Sequence, residues 1–191
     1  MGFPANYRNQ LLNALDSIDL EKVQQAIDIF AEAREKGRRI FVCGNGGSAA
    51  TASHFATDIV KGASYGRPNR FKILALTDST PTLTAYSNDL HYDSVFVEQL
   101  KNFAEPGDVV VAISGSGNSP NVLRALEYAN SIGCRTIALT GYDGGKLGPL
   151  GQLHIHVNHP HMGRIEDSHM VALHMICYYF MEEERHGRGA A

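Results

Sequence analysis

The sequence predicts an α/β protein of three layers, with a five-stranded parallel sheet between helices and two further helices ahead of it. Apolar runs of four or five residues stand at 39–43, 73–76, 109–113 and 136–139, with a weaker one at 153–157. Unbroken runs of that length are what strands buried on both faces look like. Helical apolar spacing separates them, so strand and helix alternate as in parallel β-α-β units. The whole occupies 191 residues, the size of one domain.

Each element has its own signal. Leu11, Leu12 and Leu15 mark a helix at 5–16; Leu20, Val23, Ala26, Ile27, Phe30 and Ala31 mark a second at 20–36. Asp19 is placed to cap that second helix and Gly37 to end it. Residues 1–37 thus read as an N-terminal helical segment, and 38–184 as the α/β core. Within the core, helices are expected at 48–61, 92–104, 119–132, briefly at 145–150, and at 165–184. The tail at 185–191 is small and polar and is expected to fray. No repeat or linker divides the chain, so 1–191 reads as a single domain.

Composition removes several classes of function. With 43% apolar and 19% charged residues, disorder is excluded. No apolar run approaches the length needed to cross a bilayer, and residues 1–36 lack the apolar core of a secretion signal. A cytoplasmic protein without a membrane partner is expected. Seventeen Lys and Arg against twenty Asp and Glu leave a net charge of −3 and no basic block, which argues against a nucleic-acid partner. Cys43, Cys134 and Cys177 are odd in number and far apart, as free thiols in a reducing compartment are.

Ligands of open parallel sheets bind beyond the carboxyl ends of the strands. Two such ends are rich in Gly and Ser: Cys43-Gly44-Asn45-Gly46-Gly47-Ser48-Ala49, and Ile113-Ser114-Gly115-Ser116-Gly117-Asn118-Ser119-Pro120. Glycines let backbone approach a ligand, hydroxyls donate, and a following helix offers free N–H groups, which together favour a phosphate. The plain alternative is two tight turns with serine caps, Ser119 before Pro120 being ordinary capping. Two such loops on one edge of a sheet favour the phosphate site. A dinucleotide fingerprint also fits Gly44-x-Gly46-x-x-Ala49, with Asp78 where a ribose-binding acid belongs. That scheme leaves the second, serine-rich loop without a role.

These loops, with His54-Phe55-Ala56, Ser87-Asn88-Asp89, residues 106–109, residues 139–145 and Arg164-Ile165-Glu166-Asp167-Ser168-His169, make the sequence resemble the sugar isomerase (SIS) domain family. Within it the sequence resembles the phosphoheptose isomerases, over almost the whole chain. The resemblance implies a homotetramer of flavodoxin-like subunits. It also implies conversion of sedoheptulose 7-phosphate to D-glycero-D-manno-heptose 7-phosphate, with zinc bound in several members. Position by position it puts Asn45, Gly46, Gly47, Ser48, Asn88, Asp89, Ser114, Gly115, Ser116 and Ser119 on the substrate, the second loop taking the phosphate. Gly115 stands where the family usually has threonine, which removes a hydroxyl and leaves an N–H.

Aldose–ketose exchange moves a proton between neighbouring carbons through an enediol, which needs a base at carbon and a proton donor at oxygen. The resemblance assigns these catalytic roles to Asp58 and His174. His54 and Asp58 are spaced i, i+4 and share a helical face. Asp58 replaces the family's glutamate, one methylene longer, so its carboxylate retreats by roughly 1.5 Å unless the helix shifts. The resemblance further implies that Glu166, at a position usually glutamine, contacts substrate and joins His54, Asp58 and His174 as metal ligands. Two imidazoles and two carboxylates suit zinc.

Spacing and resemblance differ over the last helix. Glu166 and His174 are eight residues apart, about 12 Å of helical rise, whereas Glu166 and His169 are easy neighbours. Resemblance favours His174 and leaves His169 as a helix-face or interface residue. His154, His156, His159 and His161 read as edge-strand or interface residues. The stripe Met170, Leu173, Cys177 and Phe180 is a candidate subunit interface. A second function carried by the same family is a non-catalytic adaptor that binds the replication initiator or senses a sugar phosphate. The presence of His54 and His174 with acids at 58 and 166 argues against that erosion.

Overall fold

The structure, a computed structural model, describes residues 2–183, so the expected fraying of 185–191 lies outside the described residues. Helices α1 (Phe3–Asp16) and α2 (Leu20–Glu35) come first, and the Asp19 carboxylate caps α2 by accepting from the N–H groups of Glu21 and Lys22. Gly37, at φ +63°, turns the chain out of α2 into the sheet, a conformation that costs glycine least.

Each apolar run becomes a strand: β1 (Arg39–Gly44), β2 (Lys72–Ala75), β3 (Val109–Ser114), β4 (Arg135–Thr140) and β5 (Leu153–His156). All pair in parallel, in the order β2-β1-β3-β4-β5. The helices between them are α3 (Gly47–Thr57), α4 (Thr80–Asp89), α5 (Val97–Phe103), α6 (Pro120–Ser131), α7 (Leu147–Leu150) and α8 (Met162–Tyr178). Helix α3 widens into a π-helical turn at Asp58–Ala63, and α8 does the same at Tyr179–Glu183.

Two details differ from the sequence reading. The single helix expected at 92–104 is a 3₁₀ turn (Tyr92–Ser94) followed by α5. Helix α4 has no counterpart among the expected helices, because its apolar stripe is only Leu83 and Tyr86, which pack in part on the second core, and none of its residues is fully buried. Local bonds help to hold it: Ser79 caps it by accepting from the Thr82 N–H, and the Thr84 hydroxyl donates to the Thr80 carbonyl.

Successive strand residues point to opposite faces, and two cores result. Val109, Val111 and Ile113 pack with Phe30, Phe55 and Phe180 on the side of α1, α2, α3 and α8; Val110 and Ala112 pack with Phe41, Phe96 and Leu126 on the other. The stripe Leu173, Cys177 and Phe180 is buried in the first core, so it holds α8 to its own chain and is not available as a subunit interface. Among the described residues no helix is long and apolar enough to cross a membrane.

Strand order positions the two Gly/Ser loops. The chain leaves β1 for β2 on one side and later returns to β3 on the other, which opens a crevice between the carboxyl ends of β1 and β3. Gly44 and Ile113 are register partners there, so the loops start side by side.

Candidate active site

The second loop gathers three hydroxyls. Ser114 Oγ lies 3.5 Å from Ser116 Oγ and 3.2 Å from Ser119 Oγ. Ser119 holds the cap position of α6, yet its side chain makes no capping hydrogen bond. The ordinary capping reading therefore fails, and this hydroxyl faces its neighbours beside a helix N-terminus suited to an anion. Backbone keeps the loop in shape: Leu147 N–H donates to the Gly117 carbonyl, and Gly141 N–H to that of Gly115.

The first loop is built differently. Gly46, at φ +54°, turns the chain into α3, and a Cβ on Gly47 would lie 2.3 Å from Glu166 Oε1. The Glu166 carboxylate thus rests against the first turn of α3, where the helix dipole favours negative charge. Asn45 is tied to α6, its Nδ2 donating to Asn121 Oδ1 while its own Oδ1 accepts from Asn121 Nδ2 and the Tyr92 hydroxyl. The loops face a cleft of about 230 Å³, which Met162 also lines.

Farther along α3 a second cluster forms. His54 Nε2 and His174 Nε2 lie 3.2 Å and 3.5 Å from Asp58 Oδ2, and 3.2 Å from each other. Among the described residues these three form a group whose ligand atoms all lie within 4.8 Å of one another. Bond lengths near 2.0–2.1 Å put tetrahedral zinc ligands about 3.3 Å apart, so the spacing fits one divalent ion. Asp58 opens the π-helical turn, and its shorter side chain reaches both imidazoles. Cys177 Sγ stands 3.9 Å behind Asp58 Oδ2. Burial pushes that thiol up to about 12, so it remains a neutral S–H.

Residues 5–141 match the family model described as SIS domain. The chain belongs to the SIS domain family. It is 42% identical over 161 residues to a probable phosphoheptose isomerase of Thermoplasma volcanium, covering 84% of this chain and 82% of that protein. It is 41% identical over 169 residues to a phosphoheptose isomerase of Aliarcobacter butzleri, covering 87% of each. The solved phosphoheptose isomerase of Neisseria gonorrhoeae matches it with a TM-score of 0.85 at 35% identity, over 92% of this chain and 95% of that one.

This SIS domain brings most of the expected site together. Asn45, Gly46, Gly47, Ser48, Ser114, Gly115, Ser116, Ser119 and Glu166 all line the cleft. Asn88 and Asp89 do not: they lie exposed at the end of α4, where Asn88 Nδ2 donates to Asp89 Oδ1. The four-residue metal set also divides. Glu166 rests on Gly47, about 12 Å of helical rise from His174, and is absent from the clustered group.

His169 is neither a ligand nor an interface residue. It is buried and its Nε2 lies 3.1 Å from the Thr140 carbonyl, so that nitrogen carries the proton; burial pushes its pKa down to about 4. His154 and His156 share the Thr140 hydroxyl, at 2.6 Å and 3.1 Å, and burial holds both below the usual histidine range. Asp78, the acid of the dinucleotide reading, accepts from Ser53 Oγ. Asn121, Tyr92 and Met162 join the site without having been singled out by sequence. Asn121 carries one signal, an amide two residues past Ser119; the other two reach the site only through tertiary packing.

Proposed function

We propose that this SIS domain is a sugar-phosphate isomerase that converts sedoheptulose 7-phosphate to D-glycero-D-manno-heptose 7-phosphate through an enediol. The supporting observation is that helix α3 runs from the cleft lined by the serine hydroxyls to the ion-sized cluster. Gly47 borders the cradle, and His54 follows seven residues later, about 10 Å of rise. A seven-carbon chain plus its ester linkage, eight bonds at about 1.1–1.2 Å each, spans roughly 9 Å when extended. A phosphoryl group on Ser114, Ser116 and Ser119 then leaves the carbonyl end beside His54, Asp58 and His174.

Asp58 Oδ2 faces the two imidazoles, so Oδ1 is the oxygen left to take the proton from carbon. His174 moves a proton at the substrate oxygen. Zinc fits the donor set of His54, Asp58 and His174, and when bound it supplies Lewis-acid polarisation of the carbonyl. The two uses of His174 Nε2 exclude each other, and a chelator separates them: loss of activity restored by zinc assigns the nitrogen to the ion, retained activity to the proton.

Assembly belongs to the same reading. Val60, Met175 and Tyr178, 51%, 40% and 46% exposed, lie close in sequence to the cluster residues, and α4 has no fully buried residue, only Leu83 and Tyr86 packing in part on the core. A cytoplasmic homotetramer that covers such surfaces accounts for both. The adaptor alternative expects an eroded site, and the cluster is intact.

The test is proton exchange at substrate carbon in deuterated water. Asp58→Asn and His174→Ala should each lower turnover by about 10²- to 10⁴-fold, the usual contribution of a general acid or base. Turnover like that of the unsubstituted chain in both variants rejects the assignment.

A further inference from the structure

The hydrogen bonds around Asn45 have a direction that a single backbone group decides. Val122 N–H, in the first turn of α6, lies 3.0 Å from a terminal atom of Asn121, and a backbone N–H only donates. That atom is therefore Asn121 Oδ1. It lies 2.8 Å from Asn45, whose atom there must be the nitrogen. The other Asn45 atom is then Oδ1, which accepts from Asn121 Nδ2 at 2.9 Å and from the Tyr92 hydroxyl at 2.8 Å. Turning either amide over would set donor against donor or acceptor against acceptor.

The bonding capacity of Asn45 is nearly used up. A carboxamide oxygen has two lone pairs, and both have partners; the nitrogen has two hydrogens, and one has a partner. One N–H is left, on a side chain that lines the cleft beside the serine hydroxyls. We propose that Asn121 and Tyr92 are positioning residues that turn Asn45 into a donor only, presenting a single N–H to a phosphoryl oxygen in the cradle. An oxygen of a phosphate ester accepts and does not donate when ionised, so a fixed donor suits it and a freely turning amide serves it half the time. The inference rests on the phosphate-cradle part of the isomerase reading and not on the reaction.

Inorganic phosphate is the probe, followed by the side-chain amide resonances of Asn45. In the unsubstituted chain one of the two amide protons should shift on titration while the other stays. Asn121→Ala frees the amide and should weaken phosphate binding about tenfold, with both protons now responding. Tyr92→Phe keeps the Asn121 anchor and should weaken it about threefold; Tyr92 is 53% exposed, so this variant decides the matter if Asn121→Ala does not fold. Phosphate binding that moves neither proton, or both alike, in the unsubstituted chain overturns the proposal, as does full affinity in both variants. A chain that shows the one-proton response yet isomerises no sugar phosphate defeats the isomerase reading and leaves this one standing.

Discussion

The two Gly/Ser loops look alike in sequence and are braced at different points. In the loop after β3, Gly117 is required by backbone, since a Cβ there would meet the Gly144 carbonyl oxygen at 2.2 Å and the Gly144 carbon at 2.7 Å, whereas one on Gly115 would meet the Met162 side chain. At the β1 end, Gly44 is closed in by the Ile113 and Ser48 carbonyl oxygens, each 2.9 Å from a Cβ there. Past it the nearest atoms to a Cβ on Gly47 belong to the end of the Glu166 side chain, and one on Gly46 would meet nothing within 4 Å. The β3 loop keeps its hydroxyls free of capping, whereas the β1 loop is already supplied with a carboxylate and an amide pair from its own chain. Shared composition hides a division of labour: one loop is shaped to receive an anion and the other to orient groups around it.

Substitutions in the two loops sharpen that contrast. The largest effect is expected from Gly117→Ala. Left-handed backbone costs an L-residue about 1–2 kcal/mol, and forcing a Cβ into backbone adds about 1–3, so denaturant unfolding should show a loss of about 2–5 kcal/mol. Near-normal stability would mean that this loop is not braced by the Gly144 turn.

Ser119→Ala should weaken binding without touching the fold. Its hydroxyl caps nothing, so melting should be unchanged. A hydrogen bond to a charged group is worth about 1.5–3 kcal/mol, so KM and inhibition by inorganic phosphate should both worsen by about ten- to a hundredfold. A fall in melting temperature would return Ser119 to the role of helix cap.

How much of the molecule is legible in its sequence depends on how local the cause is. The strands announce themselves because a strand buried on both faces needs apolar residues without interruption, as in Val109-Val110-Val111-Ala112-Ile113. Helix α4 is invisible because only Leu83 and Tyr86 pack in part on the core, too short a stripe to read, while Thr and Ser side chains bond its backbone. Spacing favours His169 over His174 as a partner for Glu166, and the fold reverses that choice of ligand, because His169 faces the end of β4 and His174 faces α3. Glu166 reads as a metal ligand by likeness alone, against about 12 Å of helical rise to His174, and sequence does not show the Gly47 it rests on. The triad is legible in part: His54 and Asp58 by helical spacing, and His174 only by likeness.

The glycines of the β1 loop give the two smallest effects. Gly46→Ala must hold φ +54° with ψ −121°, a conformation nearly reserved for glycine, in open space, so only backbone strain is left, about 1–3 kcal/mol in a denaturant titration. Gly47→Ala differs in kind. Its neighbour is the far end of a flexible side chain that can swing aside, and alanine within a helix recovers up to about 1 kcal/mol over glycine. Melting should therefore stay within about 2–4 °C of the unsubstituted chain, the shift that 1 kcal/mol produces at this size. The displaced Glu166 carboxylate should show in turnover instead. A Gly47→Ala chain that melts as much earlier as Gly117→Ala would mean that both loops are braced alike, and the division of labour between them would be lost.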